Sequence, residues 1–329
     1  MTGPNPASSP PPGSALSWEV AAPAGAELGE RPVWNPNTGS LIWVDINAGE
    51  LHQFSARPPD ATAGAAAAGQ AGTTGSAASG TGDTVIAAPG VPVGAAAPRA
   101  GGGYVLAAGD GFRLTGADGA ADGPPLRPPG MPEYVRFNDG ACDPAGRFWA
   151  GTAATNGQAG TASLYRLDPD GRVTEMLRGL TESNGLGWSP DASVFYYTDS
   201  GEARSRVRAF AFDLRAGTLG DERDLIRFEP ADGMADGLVV DAEGCLWIAM
   251  WDGGCVRRYS ADGELLGLYP VPASRPTCPG FGGPDLDQLY LTTAFEGLRA
   301  DRREAEPLAG HLLRARPGVR GLAMACYAG

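Results

Sequence analysis

The chain has 329 residues, of which 43% are hydrophobic and 19% charged, and its formal net charge is -13. Such an acidic chain is a poor partner for nucleic acid, and no apolar run reaches the roughly 18 residues of a membrane-spanning helix. The sequence contains no lysine, which excludes Schiff-base and pyridoxal chemistry. We therefore expect neither a nucleic-acid nor a membrane partner.

The first residues of the chain are rich in proline and serine. Residues 1–14 are predicted to be a disordered lead-in, and residues 15–329 are predicted to form a single domain. The N-terminus lacks the basic start and the apolar run of a signal peptide, so we expect a cytoplasmic protein.

A short apolar strand that ends in an aromatic residue, just after a turn, recurs along the chain. The aromatic anchors are Trp43, Tyr104, Trp149, Tyr196, Trp247 and Tyr290, spaced by 61, 45, 47, 51 and 43 residues. A period of roughly 40 to 50 residues with short strands is typical of the four-stranded blades of a propeller. The sequence therefore predicts an all-β fold, a six-bladed β-propeller around a central tunnel.

Individual strands are predicted where apolar residues alternate or run continuously over a few positions. Examples are residues 41–46, 164–167, 194–198, 246–250 and 289–293. No convincing segment carries apolar residues at helical spacing over a dozen positions, which disfavours a helical repeat of similar length.

The first spacing is longer than the others because residues 61–82 consist almost wholly of Ala, Gly, Ser, Thr and Gln. A stretch of this composition buries little apolar surface, so we expect a mobile insertion between strands of the first blade. The alternative is a linker between two domains, which would interrupt the repeat series.

The residue types present in the chain limit which side chains could act in catalysis. The five cysteines are odd in number and show no metal-ligand spacing, which indicates reduced thiols rather than disulfides. The only two histidines are His52 and His311, so a Ser-His-Asp triad has little support. Because nucleotide-binding loops are also absent, carboxylates, amides and arginines remain as the groups that could act.

Four oxygen-bearing residues stand at nearly the same distance ahead of the aromatic anchors. Glu30, Asn138, Asn184 and Asp236 precede the anchors of their repeats by 13, 11, 12 and 11 residues. Equivalent positions of a rotational repeat lie on one ring, so we expect these side chains to meet at one metal. Two carboxylates and two amides favour Ca²⁺, Mg²⁺ or Mn²⁺, with Zn²⁺ tolerated.

A simpler explanation is that some of these residues form turns ahead of strands. Asn184 with Gly185 and Asp236 with Gly237 are pairs that favour turns. Glutamate is a poor turn former, so this alternative leaves Glu30 unexplained.

Several motifs, in order, resemble the gluconolactonase, regucalcin and luciferin-regenerating-enzyme-like family. They are LGERPVW at 28–34, RFNDGACDPAGRFWAGT at 136–152, SNGLGWSPD at 183–191, DGLVVDAEGCLWIAMWDGG at 236–254, RPTCPGFGGPDLDQLYLTTA at 275–294 and the C-terminal CYAG. The resemblance covers nearly the whole chain from Trp18 onward, apart from the insertion. It implies a six-bladed propeller with one divalent metal in its tunnel that hydrolyses sugar lactones.

The resemblance also implies roles for individual residues. Glu30, Asn184 and Asp236 match metal ligands, and Asp236 matches the position that accepts and donates the proton. Arg136 and Asn138 match residues that hold substrate hydroxyls, with Asn138 also close to the metal.

One position departs from the regucalcin-like pattern. Where those members place a substrate-binding glutamate, this chain has Asn156. An amide can still form a hydrogen bond with a hydroxyl group, but it carries no charge, so the preferred substrate is open.

The predicted function is metal-dependent hydrolysis of sugar lactones to aldonic acids, a reaction of carbohydrate metabolism. Asp236 would act as the base, although a carboxylate bound to a cation is a weaker base than a free one. Asp139 is a second candidate base, or else a turn former. The alternatives are a non-catalytic calcium-binding propeller and a hydrolase of another ester or lactone on the same scaffold.

Overall fold

A computed structural model of the chain describes residues 16–55, 82–201 and 205–329. The predicted disordered lead-in at 1–14 lies outside these residues, as does the predicted insertion at 61–82 apart from Gly82. The backbone N–H of Ser55 donates to the Gly82 carbonyl at 2.8 Å, so Gly82 is part of the fold that the structure describes.

The strands of the described residues fall into six consecutive groups after a separate N-terminal strand, β1 (Glu19–Ala22). The first two groups are β2 (Gly29–Asn35), β3 (Ser40–Asp45), β4 (Glu50–Phe54) and β5 (Asp83–Ala87), followed by β6 (Val93–Pro98), β7 (Tyr104–Ala108) and β8 (Gly111–Thr115). The third and fourth are β9 (Val135–Cys142), β10 (Phe148–Ala154), β11 (Ala162–Leu167) and β12 (Val173–Leu180), then β13 (Glu182–Trp188), β14 (Val194–Ser200), β15 (Arg206–Asp213) and β16 (Thr218–Arg227). The fifth and sixth are β17 (Met234–Val240), β18 (Leu246–Trp251), β19 (Cys255–Tyr259) and β20 (Leu265–Pro270), then β21 (Pro276–Gly282), β22 (Gln288–Thr293) and β23 (Leu312–Ala315).

Helical structure is confined to two short segments of the described chain. They are the 3-10 helix Pro230–Asp232 and α1 (Ala300–Ala305). No helix in the described ranges is long and apolar enough to cross a membrane.

Within each group, neighbours in sequence pair antiparallel. The third and fourth groups share one sheet through a single pair, Ala153 with Glu182. In the last group β1 pairs with β23, so the N-terminal strand completes a sheet built from the C-terminal part of the chain.

The strand that comes first in each group packs against its counterparts in two other groups. These first strands are β2, β6, β9, β13, β17 and β21, and their contacts run from β2 through β6, β9, β13, β17 and β21 and return to β2. The fold is thus all-β, with curled sheets consistent with a propeller.

The aromatic anchors pack in the interior. Trp43, Trp149, Trp247 and Tyr290 are at most 1% exposed, and the indole N–H of Trp149 donates to Asp143 at 3.0 Å. Large apolar side chains with a satisfied polar atom are what the space between sheets accommodates. The anchors therefore stabilise the packing between sheets.

The five cysteines are all within the described residues, and none forms a disulfide. Four are buried and Cys326 is half-buried. The prediction of reduced thiols agrees with this arrangement.

Candidate functional site

Each first strand contains a β-bulge at the level of the predicted site. In five groups, two residues of the first strand lie opposite one residue of the second, and in β6 the extra residue is Gly94. The bulged pairs are Arg31 with Pro32, Asn138 with Asp139, Asn184 with Gly185, Asp236 with Gly237, and Thr277 with Cys278. Because a bulge bends the strand and redirects side chains, these six strands can present polar groups in an otherwise apolar sheet.

The two Asn-Gly and Asp-Gly pairs are not turns. Asn184 and Gly185 lie inside β13, and Asp236 and Gly237 lie inside β17. The alternative interpretation of these pairs as turns is therefore wrong.

The two glycines are needed for close packing of neighbouring first strands. A Cβ on Gly185 would come within 2.3 Å of the Leu238 backbone nitrogen, and one on Gly237 within 2.4 Å of the Cys278 sulfur. Larger residues would force the first strands apart.

Asn138 and Asn184 contact each other directly. The side-chain amide of Asn138 donates to the Asn184 Oδ1 at 2.8 Å and to the Ser183 carbonyl at 3.0 Å. Both asparagines are at most 5% exposed, and the Asn184 amide in turn donates to the Ser200 hydroxyl at 3.1 Å. The two side chains are thus fixed by hydrogen bonds on both sides.

Arg136 extends this network towards the solvent. Its guanidinium donates to the Asn138 Oδ1 at 2.6 Å and to the Phe137 carbonyl at 3.1 Å. Because the Asn138 oxygen faces Arg136, Asn138 would offer that oxygen to a cation only after its amide rotates.

Glu30 and Asp236 are a pair of buried carboxyl groups, 4% and 5% exposed. Burial raises the pKa of Asp236 well above its usual range, and the nearby charge of Glu30 raises it further. Burial and the charge of Asp139 likewise raise the pKa of Glu30. Like charges in a desolvated site disfavour the ionised forms, so this pair needs a positive partner to be charged.

Glu30 lies one residue out of register with the other three predicted residues. The β2–β3 register makes Arg31, not Glu30, the counterpart of Asn138, Asn184 and Asp236. The backbone of Arg31 is in the left-handed region, with φ of 44°, which distorts the strand locally. The common offset therefore holds for three residues, and Glu30 reaches the same region from the preceding position.

The Arg31 side chain connects β2 to three other first strands, β9, β13 and β17. Its guanidinium is 3.5 Å from the Asp139 carboxylate and donates to the carbonyls of Leu186 and Leu238, both at 3.4 Å. The side chains of Arg31 and Asp139 are 3% and 1% exposed. The hydrogen bonds and the ion pair of Arg31 therefore link four strands, β2, β9, β13 and β17. A buried charge pair of this kind joins strands that are distant in sequence.

Asp139 has both carboxylate oxygens engaged. Oδ2 faces Arg31 at 3.5 Å, and Oδ1 accepts the Gly140 backbone N–H at 2.7 Å. Asp139 lies within β9 rather than in a turn, and its carboxylate is paired with Arg31.

A cavity of about 910 Å³ opens beside Arg136. Its polar lining includes Asn47, Arg136, Thr155, Glu182 and Glu296. Burial raises the pKa of the Glu182 carboxyl group. The positive charge of Arg136 lowers this pKa, whereas the negative charges of Glu296 and Asp199 raise it. The charge of Glu182 also raises the pKa of Asp236. Glu30, Asn138, Asn184 and Asp236 are not among the residues that line the cavity, and Arg136, which donates to Asn138, connects the cavity to them.

Asn156 is separate from the other predicted residues. It is exposed, and its side-chain oxygen accepts the backbone N–H of Gln158 at 3.0 Å. Its neighbours Thr155 and Gly157 line the cavity, whereas Asn156 is not among the lining residues.

Glu182, Arg31 and Glu296 are site residues that sequence reasoning missed. One signal was available for Glu182: it stands two residues before Asn184, as Arg136 stands two residues before Asn138. Residues two apart in a strand point to the same face. The contacts of Arg31 and Glu296 depend on tertiary packing and leave no local signal.

The residues present fit a hard divalent cation. Arg31 and Asp139 offset each other, which leaves the carboxylates of Glu30 and Asp236 with Arg136 as the nearby cation. Carboxylate and amide oxygens are the ligands that Ca²⁺, Mg²⁺ and Mn²⁺ prefer. Glu30, Asn184 and Asp236 could hold such an ion, with Asn138 beside them.

A second cluster of potential ligands does not fit a metal. Among the described residues, Asp241, Glu243 and Cys245 have ligand atoms within 4.8 Å of one another. Arg258 already donates to Asp241 at 2.7 Å and to Glu243 at 2.6 Å. The guanidinium thus occupies the position of a cation.

Comparison with known proteins places the chain among lactone-hydrolysing relatives. Residues 28–295 match the family model described as "SMP-30/Gluconolactonase/LRE-like region". The chain is 37% identical over 267 residues to the pentonolactonase XacC of Haloferax volcanii, covering 81% of each chain. It is 33% identical over 302 residues to the 6-deoxy-6-sulfogluconolactonase of Pseudomonas putida, covering 92% of this chain and 95% of the relative.

A similar solved structure is that of a calcium-binding protein, regucalcin, from Agrobacterium tumefaciens. The TM-score is 0.81 at 28% identity, and the match covers 97% of this chain and 98% of the other. The likeness therefore extends over the whole fold.

Proposed function

Because the chain belongs to the SMP-30/gluconolactonase/LRE-like family, we propose that it is a divalent-metal-dependent hydrolase that opens sugar lactones to aldonic acids. The observation that carries this proposal is the buried Glu30 and Asp236 pair beside Arg136 and an open cavity. A purely structural site would have no use for two buried carboxylates that lack matching cations.

The proposal includes the propeller architecture of the fold. Each group of strands would be one blade of a six-bladed propeller, and the first strands would surround a central tunnel that holds the metal. The support is the closed series of contacts among the first strands and the pairing of β1 with β23.

Glu30, Asn184 and Asp236 would hold one divalent cation, either Ca²⁺, Mg²⁺, Mn²⁺ or Zn²⁺, and Asn138 remains a predicted fourth ligand. A bound cation would supply Lewis-acid polarisation of the lactone carbonyl and stabilisation of the oxyanion. Asn184 is held in place by Asn138 and Ser200, which would fix its oxygen before the ion arrives.

Asp236 would be the catalytic residue. In hydrolysis, a water oxygen bonds to the carbonyl carbon, the bond from that carbon to the ring oxygen breaks, and the ring oxygen leaves as an alkoxide. Asp236 would take the proton from the water and return it to that alkoxide. Asp139 fits this role less well than Asp236, because its two oxygens already face Arg31 and the Gly140 N–H.

Arg136 would orient the substrate. Its guanidinium is part of the cavity lining and is tied to Asn138 at 2.6 Å. A planar cation fixed in this way donates to ring hydroxyls in a defined geometry. Asn138 would share this role, whereas Asn156 would contribute only if its loop turned towards the cavity.

A non-catalytic calcium-binding protein is the second candidate, because the similar solved structure bears the description of a calcium-binding protein. A hydrolase of another ester or lactone on the same scaffold would use the same groups. Arg136 and the cavity favour an enzyme over a binding protein, since a binding protein needs no group directed at a substrate.

The test is hydrolysis of glucono-δ-lactone and a panel of aldonolactones by chelator-stripped protein, before and after addition of each of the four cations. We expect turnover that depends on the cation. Binding of the cation without turnover of any lactone would favour the calcium-binding candidate, and turnover of simple esters alone would favour the other hydrolase.

A further inference from the structure

Glu182 stands apart from the other charged groups of the cavity. It is the first residue of β13, its backbone pairs with Ala153, and its backbone N–H donates to Asp199 at 3.3 Å. Its position is therefore fixed by strand pairing. Among the residues that the structure describes, its carboxylate accepts no hydrogen bond and forms no ion pair within 4.0 Å.

The neighbouring charged groups are already engaged. Glu296 accepts the side-chain amide of Asn47 at 2.9 Å. Arg136 donates to Asn138 and to the Phe137 carbonyl. A half-buried carboxylate beside an open cavity has its acceptor sites available to a ligand, and the hydroxyl groups of a bound ligand are suitable donors to it.

The charge of the cavity is negative even with a cation bound. A divalent ion offsets Glu30 and Asp236, which leaves one positive charge on Arg136 against the negative charges of Glu182 and Glu296. The net charge of these three side chains is -1. A ligand with a second anionic group would place that group near like charges in a partly desolvated cavity, which is unfavourable.

We propose that Glu182 determines specificity by accepting hydrogen bonds from substrate hydroxyls and by disfavouring lactones that carry a phosphate or sulfonate. This inference rests on the proposed lactonase function and deepens it: the substrate class is neutral, polyhydroxylated lactones. Glu182 lines this cavity from β13, whereas Asn156 is uncharged and is not among the lining residues.

The test compares glucono-δ-lactone with 6-phosphogluconolactone as substrates of the metal-loaded protein at pH 7.5. Glu182→Gln keeps the shape of the side chain and removes its charge. Glu264→Gln is the matched control, because Glu264 is exposed on the turn between β19 and β20 and its side chain has no hydrogen bond among the described residues.

We expect wild-type protein to prefer the neutral lactone in kcat/KM. Glu182→Gln should shift the ratio of the two kcat/KM values towards the phosphorylated lactone by about tenfold, because the repulsion that this variant loses acts on the phosphorylated lactone alone. Calorimetric titration with 6-phosphogluconate should show tighter binding to Glu182→Gln than to wild type. Glu264→Gln should match wild type in both measurements.

A ratio and an affinity that stay within twofold of wild type in Glu182→Gln would overturn the role of Glu182 while leaving the lactonase function intact. Absence of any lactone turnover by wild-type protein would overturn both. If Glu182→Gln fails to fold, Glu182→Asp keeps the charge on a shorter stem. Retained preference for the neutral lactone with a raised KM in Glu182→Asp would support the proposal, and an unchanged KM would contradict it.

Discussion

At the residue scale, Asp236 would have two roles, because it would both hold the cation and transfer the proton. Its side chain is 5% exposed, and burial raises its pKa before any neighbouring charge acts. A raised pKa brings a carboxyl group closer to the range where it exchanges protons at neutral pH. The same desolvation makes the ionised form dependent on a bound cation.

Asp236→Asn is expected to lower kcat by about 10² to 10⁴-fold, the range for loss of a positioned acid or base. The amide keeps the volume and one oxygen, so folding should be retained. Steady-state turnover of the best lactone is the measurement, with the exposed Asp262→Asn as a control of equal charge change. A kcat within threefold of wild type would remove Asp236 from the mechanism.

The raised pKa of Glu30 makes the stability of the metal-free protein depend on pH. Its pKa is raised well above 4.5 by burial and by Asp139, so the folded chain binds more protons than the unfolded chain between the two pKa values. The free energy of unfolding of metal-free protein therefore falls as pH rises through that window, and the contribution is fully present only below about 4.5.

Glu30→Gln removes this effect. We expect the metal-free variant to gain in thermal stability over metal-free wild type as pH is raised from 4.5 to 8, by about 1.4 kcal/mol for each unit by which the pKa is raised. Unfolding temperatures in chelator at several pH values provide the measurement. A difference between the two proteins that does not change with pH would show that Glu30 titrates normally.

At the element scale, the first strands carry the site because each contains a bulge. The second strands could be predicted from the sequence: residues 246–250 and 289–293 fall within β18 and β22. The first strands could not, because MADGLVV and ESNGLGW contain polar residues and glycines that resemble turns. Tertiary packing between neighbouring first strands overrides these weak local preferences.

Register explains why the candidate site could be predicted only in part. Repeat spacing identifies Asn138, Asn184 and Asp236 because they share one position on equivalent strands. Arg31 occupies that position in β2, and its contact with Asp139 joins residues 108 apart in the chain. Such contacts follow from the closure of the fold, which a single sequence does not encode locally.

Arg31 is expected to stabilise the first strands as a unit. Arg31→Met leaves Asp139 buried without its partner, so the free energy of unfolding should fall by about 3 to 5 kcal/mol. Urea denaturation of the metal-free variant is the measurement. The double variant Arg31→Met with Asp139→Asn should recover part of the loss, and independent, additive effects would contradict the coupling.

At the scale of the whole molecule, the proposed site takes residues from four of the six groups of strands. β1 pairs with β23, and the first strands contact one another in a closed series. Glu30, Asn138, Asn184 and Asp236 come from four groups, so the site exists only when the fold is closed. This dependence suits a cation that binds the folded chain and thereby stabilises it.

One cation held at these residues would support lactone hydrolysis. The most direct measurement is a calorimetric titration of chelator-stripped protein with the cation that best supports turnover, with the hydrolysis rate recorded at each addition. We predict that the rate rises in proportion to the bound cation and levels off at one ion per chain. Full activity of the stripped protein, or a rate that stays flat while the ion binds, would contradict the account.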